Sequence, residues 1–353
     1  MMETPPEMTS FDRLSTVLKL GVPDRVPVVF ISSTHGAREL GVSFPEYFSR
    51  PENVAEGQLR FAQRVGHDNV NASYYTVREA EAFGAEVIYR EDGLPILGAP
   101  ILRSASDIDA LEGPDPLLSR PLRPVLDSAR LLAERARGRW FVMGQAVGPF
   151  SLPTLLMGEA AWMELLLFGS AERRRRLIRV TSSFCVAWAK ALLAAGCDAV
   201  ALNEPMASPT MLTREQAIRL VFPTMRGVVR AIGGPVILWM IGAAGSVADL
   251  VPDLGVRAVS SDPTDDLGDV KRTLGGRIAL LGGLNDLAML TWSPAEAESA
   301  ARRALEVAAP GGGFILSHQN EIPAPVEDDL LATVVETARK RGRYEGREGA
   351  GAS

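Results

Sequence analysis

Histidine and cysteine, the side chains most used for metal ligation and nucleophilic chemistry, are scarce in this chain, with three and two respectively among 353 residues. Cys185 and Cys197 lie in or just after one apolar helical pattern without metal-type spacing, which predicts two buried thiols in a reducing compartment. Basic charge is also short: 37 Lys and Arg stand against 43 Asp and Glu, giving a net charge of −6. That leaves no basic face for a phosphate backbone and excludes nucleic acid as an expected partner. No apolar run reaches the roughly 18 to 20 residues of a membrane span, and MMETPPEMTS lacks the regions of a signal peptide. The expectation is a cytoplasmic protein with no membrane partner. There is no internal repeat, and no GxGxxG follows the first strand, which weighs against dinucleotide binding.

What is present is material for a large core. Hydrophobic residues make up 46% of the chain and charged residues 23%, and this length suits one α/β barrel. Residues 9–21 open with Thr9-x-x-Asp12 in capping-box spacing, and Phe11, Leu14, Val17 and Leu18 recur at helical intervals, so a lead-in helix is expected. Residues 26–31 form an unbroken apolar run, as in a strand covered on both faces, and deliver 32–38 into a loop. Seven further short apolar runs follow at 69–72, 140–143, 199–202, 236–239, 258–261, 278–281 and 314–317. Helical patterns fill most gaps, at 51–66, 125–137, 162–168, 213–232, 246–254, 294–308 and 326–341, with a short turn near 266–273. A longer helix carries Leu177, Thr181, Phe184, Trp188 and Leu192 on one stripe and Arg173 to Arg176 near its start, on a face read as solvated. Residues 86–90 and 94–97 flank Asp92-Gly93, the signal of an antiparallel hairpin, and the proline-rich stretch up to Pro124 reads as a surface connection.

Eight strands with long crossovers make a single (β/α)8 barrel over 10–341, with a flexible N-terminus (1–9) and a disordered tail (342–353); an open doubly wound sheet is the alternative. Barrels present chemistry at the C-terminal ends of their strands. The candidate site residues are therefore His35 and Arg38, Tyr74 and Tyr75, Gln145, Asn203 and Glu204, Trp239, Asp262, Asn285 and Asp286, and His318, Gln319 and Asn320 of the polar burst in GGGFILSHQNEIP. A carboxylate neighbour, Glu204 or Asp262, would tune His318 for general acid and base work near neutral pH. The same three side chains are alternatively N and O ligands for a divalent metal, and the simplest reading of His318 is a histidine satisfied by backbone hydrogen bonds. Arg38 is a candidate clamp for a substrate carboxylate or phosphate, or one half of an ordinary salt bridge. Trp239 and Tyr75 either narrow the cleft toward a flat or apolar ligand or serve as core.

The stretches RVPVVFISSTHGARELG, VGPFSLPTLLMG, AVALNEPMASPTMLT, PVILWMIG, LLGGLND and GGFILSHQNEIP, in this order, resemble the uroporphyrinogen decarboxylase superfamily. The resemblance is closer to the branch of the methylcobamide:coenzyme M methyltransferases. It implies a barrel with its cleft at the strand C-terminal face, a small-molecule substrate, and a corrinoid protein as a partner. In the methyltransferase branch a His-x-Cys pair after strand five and a cysteine after strand eight hold a zinc that activates a thiol. The matching positions here are Trp239, Ile241 and Asn320, so that zinc site is not expected. The decarboxylase branch uses an arginine-rich loop, an aspartate after strand two and a histidine after strand eight. Here the loop holds only Arg38, Tyr75 stands at the aspartate position, and His318 matches with a one-residue shift. The resemblance thus favours a methyltransferase-like enzyme acting on a small molecule or a corrinoid-linked methyl group. A decarboxylase of a carboxylated, tetrapyrrole-like substrate, a non-catalytic ligand-binding barrel, and assembly as a homodimer stay open.

Overall fold

All eight apolar runs become strands of one parallel sheet in the computed structural model, which describes residues 7–72, 75–90 and 93–344. The strands are β1 (Val28–Val29), β2 (Asn69–Asn71), β3 (Phe141–Val147), β4 (Ala199–Asn203), β5 (Val236–Trp239), β6 (Ala258–Ser260), β7 (Ala279–Gly283) and β8 (Phe314–Ser317). Their order is β1-β8-β7-β6-β5-β4-β3-β2, which with the surrounding helices is a (β/α)8 barrel. Between β1, only two residues long, and β2 the ladder is reduced to the Asp68 N–H donating to the Val28 carbonyl at 2.8 Å, and side chains supply the rest. Val28 donates its N–H to Asp68 Oδ2 at 2.8 Å and Phe30 donates to Asn69 Oδ1 at 2.9 Å. The Phe30 carbonyl accepts from Asn69 Nδ2 and Asn71 Nδ2 at 2.9 and 3.0 Å. Buried backbone groups that would otherwise lack partners are satisfied in this way, and the seam is closed.

Successive strand residues face opposite sides, and both sides are covered, which is why the strands read as unbroken apolar runs. Val29, Ile31, Met143, Ala201, Ile237, Leu281 and Ile315 fill the barrel interior, and Leu14, Val17 and Leu18 of the lead-in helix Ser10–Leu18 join that cluster. Thr9 caps this helix by accepting from the Asp12 N–H. Val28, Phe30, Val70, Val142 and Leu316 face the helical shell. Near the lead-in helix the buried Arg13 contacts Asp68 at 2.6 Å and Asp24 at 2.7 Å, and Arg25 contacts Asp68 at 2.9 Å.

Several helices differ from the sequence pattern for identifiable reasons. The loop expected at 32–38 holds the helix His35–Leu40, and Phe44–Ser49, Val77–Ala82, Ala105–Ala110 and Leu152–Met157 are further short helices. Ser43 and Ser104 cap two of them, signals too brief for a periodicity window. The expected helix at 213–232 contains a π-helical stretch, Ala217–Val221, and 246–254 forms only the 3-10 turns Gly245–Val247 and Val251–Leu254, the second with Pro252 in its first turn. Leu267–Leu274, expected as a turn, is a helix capped by Asp266. Val87–Ile88 and Ile96–Leu97 pair antiparallel as expected; Asp92 of the intervening turn lies outside the described residues. Residues 1–6 and 345–353 also lie outside them. Gly342 and Tyr344, expected to begin a tail, instead bond to Val26 and Asp24 through backbone contacts of 2.8 and 3.2 Å.

The helix Ala171–Ala194 is, among the described residues, long and apolar enough by length and composition to cross a membrane, contrary to the sequence expectation. Its apolar stripe is core instead: Leu177, Phe184, Trp188 and Leu192 are at most 2% exposed. Arg173 pairs with Asp109 at 3.2 Å, and Arg176 donates to the Ile108 carbonyl at 3.0 Å, so the arginine run ties down a neighbouring segment. Both cysteines are free and buried, and burial pushes the Cys197 thiol up to about 12.

His67 lies against Phe30 and Phe61, with ring centroids 5.4 and 4.8 Å apart, and neither ring nitrogen has a hydrogen-bond partner. Burial lowers its pKa to about 3, and His35 and His318 are lowered to about 4 and about 3 for the same leading reason. At these three side chains the unfolded state therefore binds more protons than the native one once pH falls below about 6.5, and their contribution to stability is lost from there down through the folded values. Glu204 and Glu321, raised to about 7 by burial, act in the opposite sense, so the His67 contribution is read as a difference: between about pH 7 and pH 5 the melting temperature of His67→Phe is expected to lose less, or gain more, than that of the native chain in calorimetry at stepped pH. An unchanged or steeper slope in the variant would contradict this.

Candidate functional site

A cavity of about 190 Å³ sits at the C-terminal mouth of the barrel. Its wall is built from strand ends: Ile31 and Ser33 beyond β1, Tyr75 and Thr76 beyond β2, Gln145 on β3, Asn203 ending β4, Trp239 ending β5, Ile241 just after it, and Gln319, Asn320 and Glu321 beyond β8. Leu94 and Pro95, from the hairpin segment, complete it. Sequence reasoning placed Tyr75, Gln145, Asn203, Trp239, Gln319 and Asn320 here, and the structure brings them together.

The wall is held from behind. The Trp239 indole N–H donates to the Gln319 carbonyl, and Gln319 Nε2 donates to the Gly242 carbonyl at 3.1 Å, which ties the β5 and β8 loops together. Between them Ile241 adopts φ +46°, a left-handed conformation that costs a β-branched residue about 1–3 kcal/mol. Asn203 Nδ2 donates to Gln145 Oε1 at 3.2 Å. Glu321 Oε1 accepts from the Ser33 N–H and, at 2.8 Å, from the Ser33 hydroxyl. Burial, opposed by these bonds, pushes the Glu321 carboxyl up to about 7. Asp286, 5% exposed, is also raised by burial, against hydrogen bonds from the Asn320 and Gln319 backbone.

The other expected residues have different surroundings. His318 is fully buried, and its Nε2 accepts the Ile31 N–H at 2.9 Å, so the proton of the neutral ring is on Nδ1. The ring lies beside Phe30 and Trp239, at 5.9 and 6.5 Å between centroids. Glu204, likewise buried, accepts from the Phe150 N–H at 2.9 Å and from the Ser151 hydroxyl; burial outweighs those bonds and raises its carboxyl to about 7. Asp262 accepts the Thr264 N–H at 2.8 Å. None of these three lines the cavity, and among the described residues no group of three or more His, Cys, Asp or Glu is placed to hold a metal ion. His35 accepts from the Ser32 hydroxyl and donates to the Val326 carbonyl at 3.0 Å. Arg38 pairs with Asp328 and donates to the Ala324 and Val326 carbonyls at 3.1 and 3.0 Å. Asn285 accepts the Ala288 N–H at 3.0 Å. Tyr74 lies outside the described residues.

Ser33, Ile241 and Glu321 are cavity residues that the sequence reading did not select. The available signal was register: β1 pairs with β8 with Val29 opposite Ser317, so Ser33 and Glu321 each follow four residues later on adjacent strand ends. Glu204 also constrains its surroundings. A Cβ on Gly148 would stand 2.2 Å from Glu204 Oε2, and the carboxylate is pinned by its donors. Gly148→Ala is expected to cost about 1–3 kcal/mol in denaturant unfolding, and a neutral result would contradict the rigidity of this corner.

The uroporphyrinogen decarboxylase family model matches residues 9–341 of this chain. The chain belongs to the uroporphyrinogen decarboxylase family. Its relatives carry two chemistries. A methylcobamide:CoM methyltransferase of Methanosarcina barkeri is 23% identical over 320 residues, covering 87% of this chain and 93% of that enzyme. A uroporphyrinogen decarboxylase of Thioalkalivibrio sulfidiphilus is 26% identical over 348 residues, covering 94% and 98%. A solved methyltransferase from Methanosarcina mazei shares the fold, with a TM-score of 0.86 over 95% of this chain and 99% of that one at 20% identity. Membership in the uroporphyrinogen decarboxylase family accounts for the barrel and its mouth, and the reaction must be argued from the cavity itself.

Proposed function

We propose that this member of the uroporphyrinogen decarboxylase family is a methyltransferase-like enzyme whose cavity binds a small methyl acceptor and whose Glu321 takes the acceptor's proton. The observation that carries the reading is the Glu321 carboxyl, in the cavity wall with its pKa raised to about 7. A base that changes charge near neutral pH is matched to general base work. As the acceptor's lone pair bonds to the methyl carbon, the bond from that carbon to the donor breaks with its electron pair staying on the donor. The acceptor's proton passes to Glu321. The Trp239 to Gln319 bond and the Asn203 to Gln145 pair supply a fixed wall against which the acceptor is oriented.

The family's zinc does not fit these residues. Trp239, Ile241 and Asn320, which match its ligand positions, offer neither thiolate nor imidazole, although all three line the cavity. Proton removal by Glu321 takes the place of metal activation in this proposal. Decarboxylation has weaker support, because no Arg, Lys or His lines the cavity among the described residues and Arg38 is engaged with Asp328. A corrinoid protein as methyl donor is supported by the methylcobamide relatives. The test is methyl transfer from methylcobalamin across a panel of thiol and amine acceptors. Turnover that survives a chelator and is lost in Glu321→Gln is expected. No turnover, with a co-purifying ligand that binds the variant equally well, would mark a ligand-binding barrel instead.

A further inference from the structure

We infer that the cavity selects a small organic ammonium ion as the methyl acceptor. The inference rests on reading this cavity as the acceptor site and adds the chemical class of what it takes. The described wall offers one carboxylate, the amides of Gln145, Asn203, Gln319 and Asn320, the hydroxyls of Ser33 and Thr76, and aromatic surface from Trp239 and Tyr75. It offers no cation. The Glu321 carboxylate is held by the Ser33 N–H and hydroxyl, both uncharged donors, and among the described residues no cation pairs with it. A desolvated carboxylate is normally paired with a cation, and the open side of this half-buried one faces the cavity. An anionic ligand there would meet a like charge, and a neutral one would leave the carboxylate uncompensated.

The aromatic surface favours the same class. The Trp239 indole is locked by its bond to the Gln319 carbonyl, and a fixed indole is the best aromatic partner for a cation. Tyr75 already carries the Arg78 guanidinium 4.7 Å from its ring centroid, so the unspent aromatic surface is that of Trp239. After the Asn203 to Gln145 bond, Gln145 Nε2 and Asn203 Oδ1 are left as one donor and one acceptor, a pair suited to a hydroxyl on the ligand. Bound beside Glu321, the ammonium ion transfers one proton to the carboxylate and becomes the free amine, whose lone pair is then available to attack the methyl carbon.

Three probes of nearly equal shape decide the matter by isothermal titration calorimetry: ethanolamine, propanol and glycolate, which present a cation, a methyl group and an anion opposite the same hydroxyl. Ethanolamine should bind the native chain at least about tenfold tighter than propanol, with glycolate weakest. Glu321→Gln should erase the preference and Glu321→Asp, which keeps the charge, should retain it, each checked for an unchanged circular dichroism spectrum. Equal or tighter binding of propanol or glycolate, a preference that persists in Glu321→Gln, or no ethanolamine binding up to about 10 mM would overturn the inference. If ethanolamine is not preferred while Glu321→Gln still abolishes methyl transfer to another acceptor, the substrate class fails and the proposed function stands. If the preference holds and methyl transfer is untouched by Glu321→Gln, the proposed function fails instead.

Discussion

Asp68→Ala is expected to lower the unfolding free energy by about 3–5 kcal/mol, the largest single-site loss of stability in this barrel. The Asp68 side chain is fully buried, and its Oδ1 accepts from Arg13 at 2.6 Å, Arg25 at 3.0 Å and Ser10 at 2.8 Å. Oδ2 accepts from Arg25 at 2.9 Å and from the Val28 N–H at 2.8 Å. Removing it leaves the Arg25 guanidinium, 4% exposed, without its carboxylate, takes one of two carboxylates from Arg13, which keeps Asp24 at 2.7 Å, and loosens the β1 to β2 seam. Burial alone would raise the Asp68 pKa, but Arg25 and Arg13 hold it below its ordinary value. Its contribution is therefore present above about pH 4 and is lost as pH falls through the lower folded value. Urea unfolding at neutral pH measures the loss, and a change under about 1 kcal/mol would show that the network is not holding the seam.

Glu321→Gln is expected to cut the rate of methyl transfer by about 10²–10⁴-fold. The amide oxygen still accepts from the Ser33 N–H and hydroxyl, so the wall keeps its shape and only the proton acceptor is lost. With Glu321 raised to about 7, native activity should climb as pH rises through that region, because the base must be ionised to act. The variant's residual rate should lack that limb. An unchanged limb in the variant would assign it to another group.

The barrel is legible in the sequence because both faces of each strand are covered, which turns runs such as 199–202 and 314–317 into unbroken apolar text. The seam is not legible. It depends on Asn69 and Asn71 turning their amides to Phe30, and nothing in local pattern separates those from amides bound to water. At the site, topology tells which strand ends share a rim, and six named residues meet there. The direction a side chain takes at a strand end is set by tertiary hydrogen bonds. His318 turns to the Ile31 N–H, whereas Glu321, three residues later, reaches the cavity. Glu204 satisfies the rule that a buried strand-end carboxylate attracts attention, yet its oxygens are spent on Phe150 and Ser151. Arg38 is carried by the helix His35–Leu40 to Asp328, a route hidden while 32–38 was read as a loop.

The most direct test compares initial rates of methyl transfer from methylcobalamin in three samples: native protein, native protein stripped by a chelator, and Glu321→Gln. The predicted result is full activity after chelation and near loss of activity in the variant. Activity that disappears on chelation and survives in Glu321→Gln would contradict the account.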